Sequence, residues 1–353
     1  MDREAHEEDF RRFQAAGRRF HEWASGARAL ALLRGALSSG VFDAARTPST
    51  VEEISAATGV DEARVADLCL ALEAHGVFER EGDSYLLSEQ FGVLASPDAL
   101  QSLPNLLAKE RVLERALEGA TSAEGPYTAL STEEVLAMAV GTGMRPSSPT
   151  TRAFWGKAVA GTMPELHGIW EGGGRHLEIG CGAANALLSV LATHPRLSAV
   201  GLEIDGGAIA AARRGAEELG VADRFELRNT DARELEEQAS FDTAQWSQQF
   251  FPSEGRQEVL ARAFRALKPG GYLYTPVFGE APGSVEALRE PAGRSFALDP
   301  LVYGSWGVPV RSGEELREEL EAAGLEVVRT TPPPPFNPLM VSRGIMLARR
   351  PPE

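Results

Sequence analysis

Beyond residue 150, short apolar segments alternate with helical segments, and this alternation constrains the fold of the chain more than any other feature. Strands separated by helices of about ten to fifteen residues are typical of βαβ units, which place parallel strands side by side. The predicted strands lie at 175–179, 198–203, 225–229, 243–247, 271–277, 326–330 and 345–348. The pattern predicts an α/β domain over 151–353 with a seven-stranded, mostly parallel sheet.

The first 105 residues follow a different, mainly helical pattern. Apolar residues at helical spacing over 9–37 predict two opening helices. A capping-box pattern begins at Thr50 and a glycine stop follows at Gly59, after which a further helix is predicted over 61–75. Two short apolar segments over 77–87 then predict a hairpin. The order helix, helix, hairpin is a winged-helix layout.

The length of 353 residues exceeds what one hydrophobic core usually holds, so more than one domain is expected. We predict a winged-helix-like dimerisation domain over 1–105, a helical linker over 106–150 and a catalytic domain over 151–353. The linker assignment rests on short helical patterns that end in a stretch rich in Gly, Pro and Ser.

The net charge of −16 argues against nucleic acid and anionic membranes as partners, because both are held by clustered Lys and Arg. The helix predicted over 61–75, the candidate recognition helix, carries four acidic residues against one arginine and would repel phosphate. A small-molecule substrate and a homodimer formed by the N-terminal domain fit better. No apolar leader or stretch of eighteen apolar residues is present, so we expect a cytoplasmic protein without membrane partners. Two cysteines whose spacing resembles no metal site predict no bound metal.

The segment His-Leu-Glu-Ile-Gly-Cys-Gly-Ala-Ala-Asn at 176–185 ends the first predicted strand and opens a helix. Gly180 and Gly182 permit positive φ and let a ligand approach the backbone closely, while the helix N-terminus offers unpaired N–H groups. The second strand ends in Glu203, which is placed to accept hydrogen bonds from two ribose hydroxyls. Asp231 follows the third strand at the same edge, where ligands of parallel sheets bind.

A dinucleotide cofactor is the rival interpretation of this loop. Its turn requires G-x-G-x-x-G so that a pyrophosphate can lie on the helix end, but residue 185 is Asn. Glu178, directly before the loop, would repel the pyrophosphate and instead suits a ligand that carries positive charge.

The residues Leu-Glu-Ile-Gly-Cys-Gly at 177–182 resemble motif I of class I S-adenosylmethionine (SAM)-dependent methyltransferases. Glu203, the pair Asp231–Ala232 and the segment 263–273 resemble the later motifs of that family in the same order. Residues 25–95 resemble the N-terminal dimerisation domain of small-molecule O-methyltransferases. The resemblance implies a Rossmann-like fold and SAM as cofactor. The predicted cofactor contacts are Glu178, Gly180, Gly182, Glu203, Ile204, Asp231, Ala232, Trp246 and Ser247.

In the O-methyltransferases that this chain resembles, a His base lies eighteen residues before the Leu of the Ala-Leu turn, a position that is Gln249 here. No His follows His194 in the sequence. An amide cannot accept a proton but can orient a substrate by hydrogen bonding, so Gln249, with Gln248 beside it, is predicted to position the reactants. The methyl acceptor would then need little help from a base, or proximity to the activated methyl group would suffice.

Aromatic residues near the site are candidates for the walls of a substrate pocket, and an arginine is a candidate for binding a carboxylate. The predicted substrate contacts are Arg152, Phe154, Trp155, Phe250, Phe251 and Trp306. We predict SAM-dependent methyl transfer to a small molecule in secondary metabolism. Two alternatives stay open: an enzyme that uses SAM without transferring methyl, for example by intramolecular cyclisation, and a SAM-binding regulator without catalysis.

Overall fold

The structure is a computed structural model that describes residues 2–120, 130–278, 281–331 and 344–352. It divides into two compact units, Met1–Ala99 and Leu100–Glu353. The division falls a few residues before the boundary predicted at 105, and the segment 106–150, predicted as a linker, is part of the second unit.

The first unit contains five helices and three short strands among its described residues. In chain order they are α1 (Asp2–Ser38), α2 (Val41–Ala44), β1 (Ser49–Thr50), α3 (Val51–Thr58), α4 (Glu62–Ala74), β2 (Phe78–Glu81), β3 (Ser84–Leu87) and α5 (Glu89–Ala95). The strands form one antiparallel sheet in the order β1–β3–β2. The predicted capping box is present: Thr50 Oγ1 accepts from the Glu53 N–H, and the Glu53 carboxylate accepts from the Thr50 N–H.

The prediction of two opening helices is wrong, because residues 2–38 form the single helix α1. Gly17 and Gly26 lie within this helix, but an interior glycine costs only about 1 kcal/mol relative to alanine. No proline interrupts the segment, so nothing removes a backbone hydrogen bond or forces a break.

The second unit contains the larger sheet. Its elements are α6 (Leu103–Glu118), α7 (Thr132–Thr142), α8 (Pro149–Thr162), α9 (Pro164–Gly172), β4 (Arg175–Ile179), α10 (Asn185–Thr193), β5 (Ser198–Glu203), α11 (Gly206–Glu218), β6 (Phe225–Asn229), β7 (Phe241–Trp246), α12 (Arg256–Ala266), β8 (Leu267–Val277), α13 (Val285–Arg289), α14 (Pro291–Ser305), α15 (Gly313–Ala322), β9 (Glu326–Thr331) and β10 (Gly344–Arg349).

The sheet has seven strands in the order β6–β5–β4–β7–β8–β10–β9. Strands β4 to β8 are parallel, and β10 runs antiparallel to both β8 and β9. The predicted Rossmann-like, mostly parallel sheet is therefore confirmed. The carboxyl ends of β4, β5 and β7 lie side by side at one edge, which brings the segments that follow them together.

Two hydrophobic cores cover the faces of this sheet. Leu177 and Ile179 of β4 pack with α12 and α15 on one face, while helices α9, α10 and α11 cover the other. Since side chains alternate along a strand, Glu178 lies on the face opposite to its two neighbours. Among the described helices, none combines the length and apolarity that a membrane crossing requires.

Candidate functional site

The glycine loop between β4 and α10 is the centre of the site. Gly180 (φ 74°), Gly182 (φ 54°) and Ala184 (φ 56°) all adopt left-handed backbone conformations. The N–H groups of Gly180 and Cys181 both donate to the Leu202 carbonyl at 3.0 Å, which fixes the loop on the end of β5. Ala184 stands where a third glycine would be usual and holds a conformation that costs an L residue energy.

The backbone at Gly180 is closely approached by the segment that follows β7. A Cβ atom at Gly180 would lie 2.8 Å from Phe251 Cε2 and 3.7 Å from Ser247 Cβ. The Ser247 N–H also donates to the Ile179 carbonyl at 3.1 Å. The structure therefore brings the predicted contacts Ser247 and Phe251 to the glycine loop, and it explains why residue 180 is glycine.

Glu178 is 3% exposed, and its Oε2 atom has no hydrogen-bond partner among the described residues. Burial, with the neighbouring Glu203 as a second cause, raises the pKa of Glu178 to about 8. An unpartnered buried carboxylate is costly unless a ligand pairs with it. SAM carries an ammonium and a sulfonium group, so the donor set at this position fits that cofactor.

Glu203 ends β5 with its carboxylate held by three backbone groups. Its Oε2 accepts from the Gly182 N–H at 2.9 Å, and its Oε1 accepts from the N–H groups of Ile204 and Asp205 at 2.9 Å each. Burial raises the pKa of Glu203, and these hydrogen bonds oppose the rise. Oε2, which accepts one of these bonds, keeps a lone pair for a ligand hydroxyl. Ile204 is 63% exposed, so an apolar surface lies beside this carboxylate.

Asp231 is engaged with its own neighbour. Its carboxylate caps the short turn 232–234 through the Arg233 N–H and forms an ion pair with the Arg233 guanidinium at 2.7 Å. The hydrogen bonds from Arg233 lower the pKa of Asp231. Ala232 is buried in the core cluster. A ligand at Asp231 would therefore share the carboxylate with Arg233.

Trp246, predicted as a cofactor contact, is fully buried in the core cluster. In the register of β4 and β7 it pairs with Ile179 and so shares the face opposite to Glu178. The Arg256 guanidinium lies 4.6 Å from its ring centroid. The Trp246 ring also contacts the Phe251 ring edge-on at 5.9 Å, so the indole is part of the core on this face of the sheet.

The two adjacent glutamines, both predicted as catalytic, have different environments. Gln248 is fully buried: its Nε2 donates to the Pro276 carbonyl at 3.1 Å and its Oε1 accepts from Arg256 at 3.0 Å. Arg256 also donates to the Gln248 and Phe251 carbonyls and forms a buried pair with Glu319 at 2.7 Å. Both polar atoms of the Gln248 side chain are therefore engaged in hydrogen bonds that stabilise the turn.

Gln249 is half-buried at the same edge, and its Oε1 atom is buried without a hydrogen-bond partner among the described residues. Hydrogen bonds on both sides fix the turn that carries it, from Ser247 to β4 and from Arg256 to the flanking carbonyls. An acceptor that is buried, unpaired and rigidly mounted is suited to receive a hydrogen bond from a ligand.

The predicted substrate residues fall into separate groups. Phe250 packs on a buried cluster that includes Trp306 and Tyr303 of the α14 region, Met138 of α7 and Phe278. Phe251 lies instead at the glycine loop. The cluster therefore joins two of the predicted contacts, Phe250 and Trp306, to residues from α7 that the sequence did not single out.

The three predicted substrate residues on α8 lie elsewhere. Thr193 Oγ1, at the end of α10, donates to the Arg152 carbonyl, and the Arg152 guanidinium donates to the Ser147 carbonyl at 3.1 Å. With a rise of 1.5 Å per residue, the end of α10 is about 12 Å from the glycine loop at its start. Trp155 packs on the α9–α11 core, and its ring contacts that of Phe154 edge-on at 5.8 Å.

Helix α7 covers the glycine loop, a contact that the sequence did not predict. A Cβ atom at Gly182 would lie 3.3 Å from Ala139 Cβ, and one at Gly143 would lie 2.8 Å from Asn185 Cβ. Asn185 Nδ2 also donates to the Val140 carbonyl at 3.4 Å. These contacts join residues far apart in the chain, so no local pattern signals them.

Comparison with known proteins agrees with this geometry. Residues 177–273, which run from β4 into β8, match the family model of a methyltransferase domain. Over 132 residues the chain is 28% identical to Methyltransferase ungE′ of Aspergillus campestris, an alignment that covers 35% of this chain and 39% of the fungal protein. The chain thus spans about two fifths of the length of this curated relative.

Two solved structures resemble nearly the whole chain. An O-methyltransferase family protein from Burkholderia thailandensis superposes with a TM-score of 0.69 at 18% identity, covering 94% of this chain and 97% of that one. Human N-acetylserotonin methyltransferase, solved in complex with SAM, superposes with a TM-score of 0.68 at 14% identity, covering 95% and 98%. At these identities the likeness concerns the fold.

Proposed function

We propose that the chain transfers the methyl group of SAM to a small molecule, as an enzyme of secondary metabolism. The match of residues 177–273 to the family model of a methyltransferase domain and the fold shared with the SAM-bound human N-acetylserotonin methyltransferase support this proposal. The observation that carries the proposal is the pair of unpartnered acceptor oxygens, Glu178 Oε2 near the carboxyl end of β4 and Gln249 Oε1 in the turn that follows the adjacent parallel strand β7. The first suits a cation and the second a hydroxyl or amine.

The chain would hold the cofactor through the segments at the carboxyl ends of β4 and β5. Glu178 would pair with the positive charge of SAM, and Glu203 would accept hydrogen bonds from its ribose hydroxyls. Ile204 would offer an exposed apolar surface to its adenine ring. Gly180 and Gly182 keep the backbone free of side chains. When bound, SAM supplies an electrophilic methyl group, so the protein needs to bind and orient the acceptor.

Gln249 would orient this acceptor. Its Oε1 accepts a hydrogen bond from the nucleophile and fixes the direction of the lone pair that attacks, without removing the proton. The acceptor is then a group that ionises readily or needs no base, and the O-methyltransferase folds among the similar structures favour a hydroxyl. The cluster of Phe250, Tyr303 and Trp306 would give such an acceptor an apolar wall.

The N-terminal unit would act as a winged-helix dimerisation domain. Its order of α3, α4 and the β2–β3 hairpin matches that layout. Helix α1 exposes four large aromatic side chains, Phe10, Phe13, Phe20 and Trp23, each at least 60% exposed. Such a row is unfavourable in water and is suited to burial against a second copy. A cytoplasmic location stays a prediction of the sequence.

Titration calorimetry of the full chain with SAM and with its demethylated product tests the cofactor assignment, which fails if neither binds. Incubation with SAM alone, followed by mass spectrometry, separates methyl transfer from the alternatives. The proposal is supported if SAM stays intact with the protein alone and is consumed only when hydroxylated aromatic acceptors are added. Breakdown of SAM without an acceptor would favour intramolecular cyclisation, and binding without any turnover would favour a regulator.

A further inference from the structure

Two histidines and a glutamate meet on the second unit away from the glycine loop. His167 and Glu171 lie four residues apart on α9 and so share one face of that helix. His194 caps the end of α10. One potential ligand atom from each of the three residues lies within 4.8 Å of those of the other two. The sequence predicted no bound metal, since its two cysteines lack the spacing of a metal site. His167 and His194 are far apart in the chain, and only the fold brings them together.

The hydrogen bonding of the two imidazoles is incomplete. His194 is 1% exposed; its Nδ1 contacts Glu171 Oε1 at 2.8 Å, and its Nε2 has no partner among the described residues. The Nδ1 atom of His167 is likewise buried and unpartnered within the described chain. The rings lie edge to face with their centroids 5.5 Å apart. Each of the two adjacent imidazoles therefore has a buried nitrogen that no described residue satisfies, which is an incomplete arrangement for buried polar atoms.

We propose that His167, Glu171 and His194 bind a first-row divalent metal ion, of which Zn²⁺ is the best match. Two imidazoles and one carboxylate suit zinc, whereas Mg²⁺ and Ca²⁺ prefer oxygen ligands. Tetrahedral zinc with bonds of 2.0–2.1 Å places its ligand atoms about 3.4 Å apart, which small side-chain rotations would reach from the present spacing. The Glu171 side chain is half exposed, so water can complete the coordination.

The surroundings would make this ion a structural link. Trp170 lies between the ligands on α9, packs against the His194 ring at 5.5 Å and donates from Nε1 to Thr243 Oγ1 at 3.0 Å. A bound metal would therefore tie α9, which leads into β4, to the end of α10, which follows the glycine loop. Because this end of α10 is about 12 Å from the loop, the ion would not touch the cofactor.

Equilibrium dialysis of the untagged, EDTA-treated full chain against ZnSO₄, with metal quantified by mass spectrometry, tests the proposal. We expect one zinc per chain. Glu171→Gln and His167→Gln should each weaken zinc binding by about 100-fold, since even the loss of supporting partners costs 10–100-fold. The matched control His75→Gln, at an exposed position in the first unit, should bind zinc as the wild type does.

Thermal melting separates loss of metal from loss of fold. Zinc should raise the melting temperature of the wild type and of His75→Gln but not of Glu171→Gln, whose SAM titration should stay normal. Glu171 is exposed enough for its amide variant to fold, which keeps the test decisive if a histidine variant does not. Failure of the wild type to retain zinc, or retention by both ligand variants at wild-type affinity, would overturn the proposal. Neither result bears on methyl transfer.

Discussion

Gln249 places an amide where an acid–base group is expected, which fixes what this side chain can contribute. We expect Gln249→Ala to lower kcat about tenfold, because losing one positioning hydrogen bond corresponds to about 1.4 kcal/mol, and to leave the affinity for SAM unchanged. Steady-state kinetics with a hydroxylated acceptor and calorimetry with SAM measure the two quantities. The exposed Gln238→Ala is the control. Wild-type turnover in Gln249→Ala would remove the positioning role.

Glu178 makes the stability of the ligand-free protein depend on pH. Its pKa in the folded chain is about 8, above the ordinary value of 4.5, so the folded chain keeps a proton that the unfolded chain has lost between these values. Raising the pH through this window therefore favours unfolding. We expect the melting temperature to fall less between pH 6 and pH 9 in Glu178→Gln than in the wild type.

The same substitution separates the effect of Glu178 on the stability of the ligand-free chain from its contribution to SAM binding. Since hydrogen bonds to charged groups contribute about 1.5–3 kcal/mol, Glu178→Gln should weaken SAM binding by at least about tenfold while it stabilises the ligand-free chain at alkaline pH. Glu254→Gln, at an exposed position, should change neither property. Identical pH dependence of melting in the wild type and in Glu178→Gln would show that this carboxylate does not titrate as stated.

Helix α7 covers the glycine loop, and the contact of Gly143 with Asn185 leaves no room for an added carbon atom. Gly143 follows α7 with an ordinary φ of −95°, so alanine is allowed there by the backbone, but its Cβ would lie 2.8 Å from Asn185 Cβ. We expect Gly143→Ala to cost about 1–3 kcal/mol of stability and to weaken SAM binding, because α7 must move off the loop.

A second substitution tests whether the contact itself is responsible. Asn185→Gly removes the opposing Cβ, so the double variant should recover most of the SAM affinity lost in Gly143→Ala. Gly161→Ala provides the control, since a Cβ there meets nothing within 4 Å. Equal losses in the single and double variants would show that α7 does not act through this contact. Denaturant unfolding and calorimetry measure both effects.

The sequence predicted the elements that depend on local signals and did not predict the contacts between residues far apart in the chain. Strands β4, β5 and β6 begin and end where they were predicted, because an apolar run bounded by turn residues is a local signal. Strand β8 begins at Leu267, before the predicted 271, since the backbone of its Pro-Gly-Gly turn still pairs with its neighbours. The cover by α7 and the buried Arg256–Glu319 pair depend on contacts across the fold, so the sequence did not reveal them.

The candidate site shows the same division. Gly180, Gly182, Glu178 and Glu203 were predicted because their order along the chain resembles a known motif, and the structure brings them to one edge of the sheet. For the predicted substrate contacts, residue type alone did not separate Phe250, which joins the cluster with Trp306, from Trp155, which packs on the α9–α11 core. The face of β7 on which Trp246 lies follows from strand register, which the sequence does not state.

The association of the whole chain with a second copy is predicted from α1. Phe13 and Phe20 lie seven residues apart, so they fall on the same side of the helix, and both are more than two-thirds exposed. We expect the wild type to sediment as a dimer and Phe13→Glu/Phe20→Glu to sediment as a monomer at micromolar concentration, because two charges would be buried without partners in the interface. Calorimetry should show unchanged SAM binding in this variant, since the glycine loop belongs to the second unit.

Leu70→Glu, at another exposed apolar position of the first unit, serves as the control and should remain dimeric. A dimer that survives both charges on α1 would show that the interface lies elsewhere, whereas a wild-type monomer would leave this aromatic row to another partner.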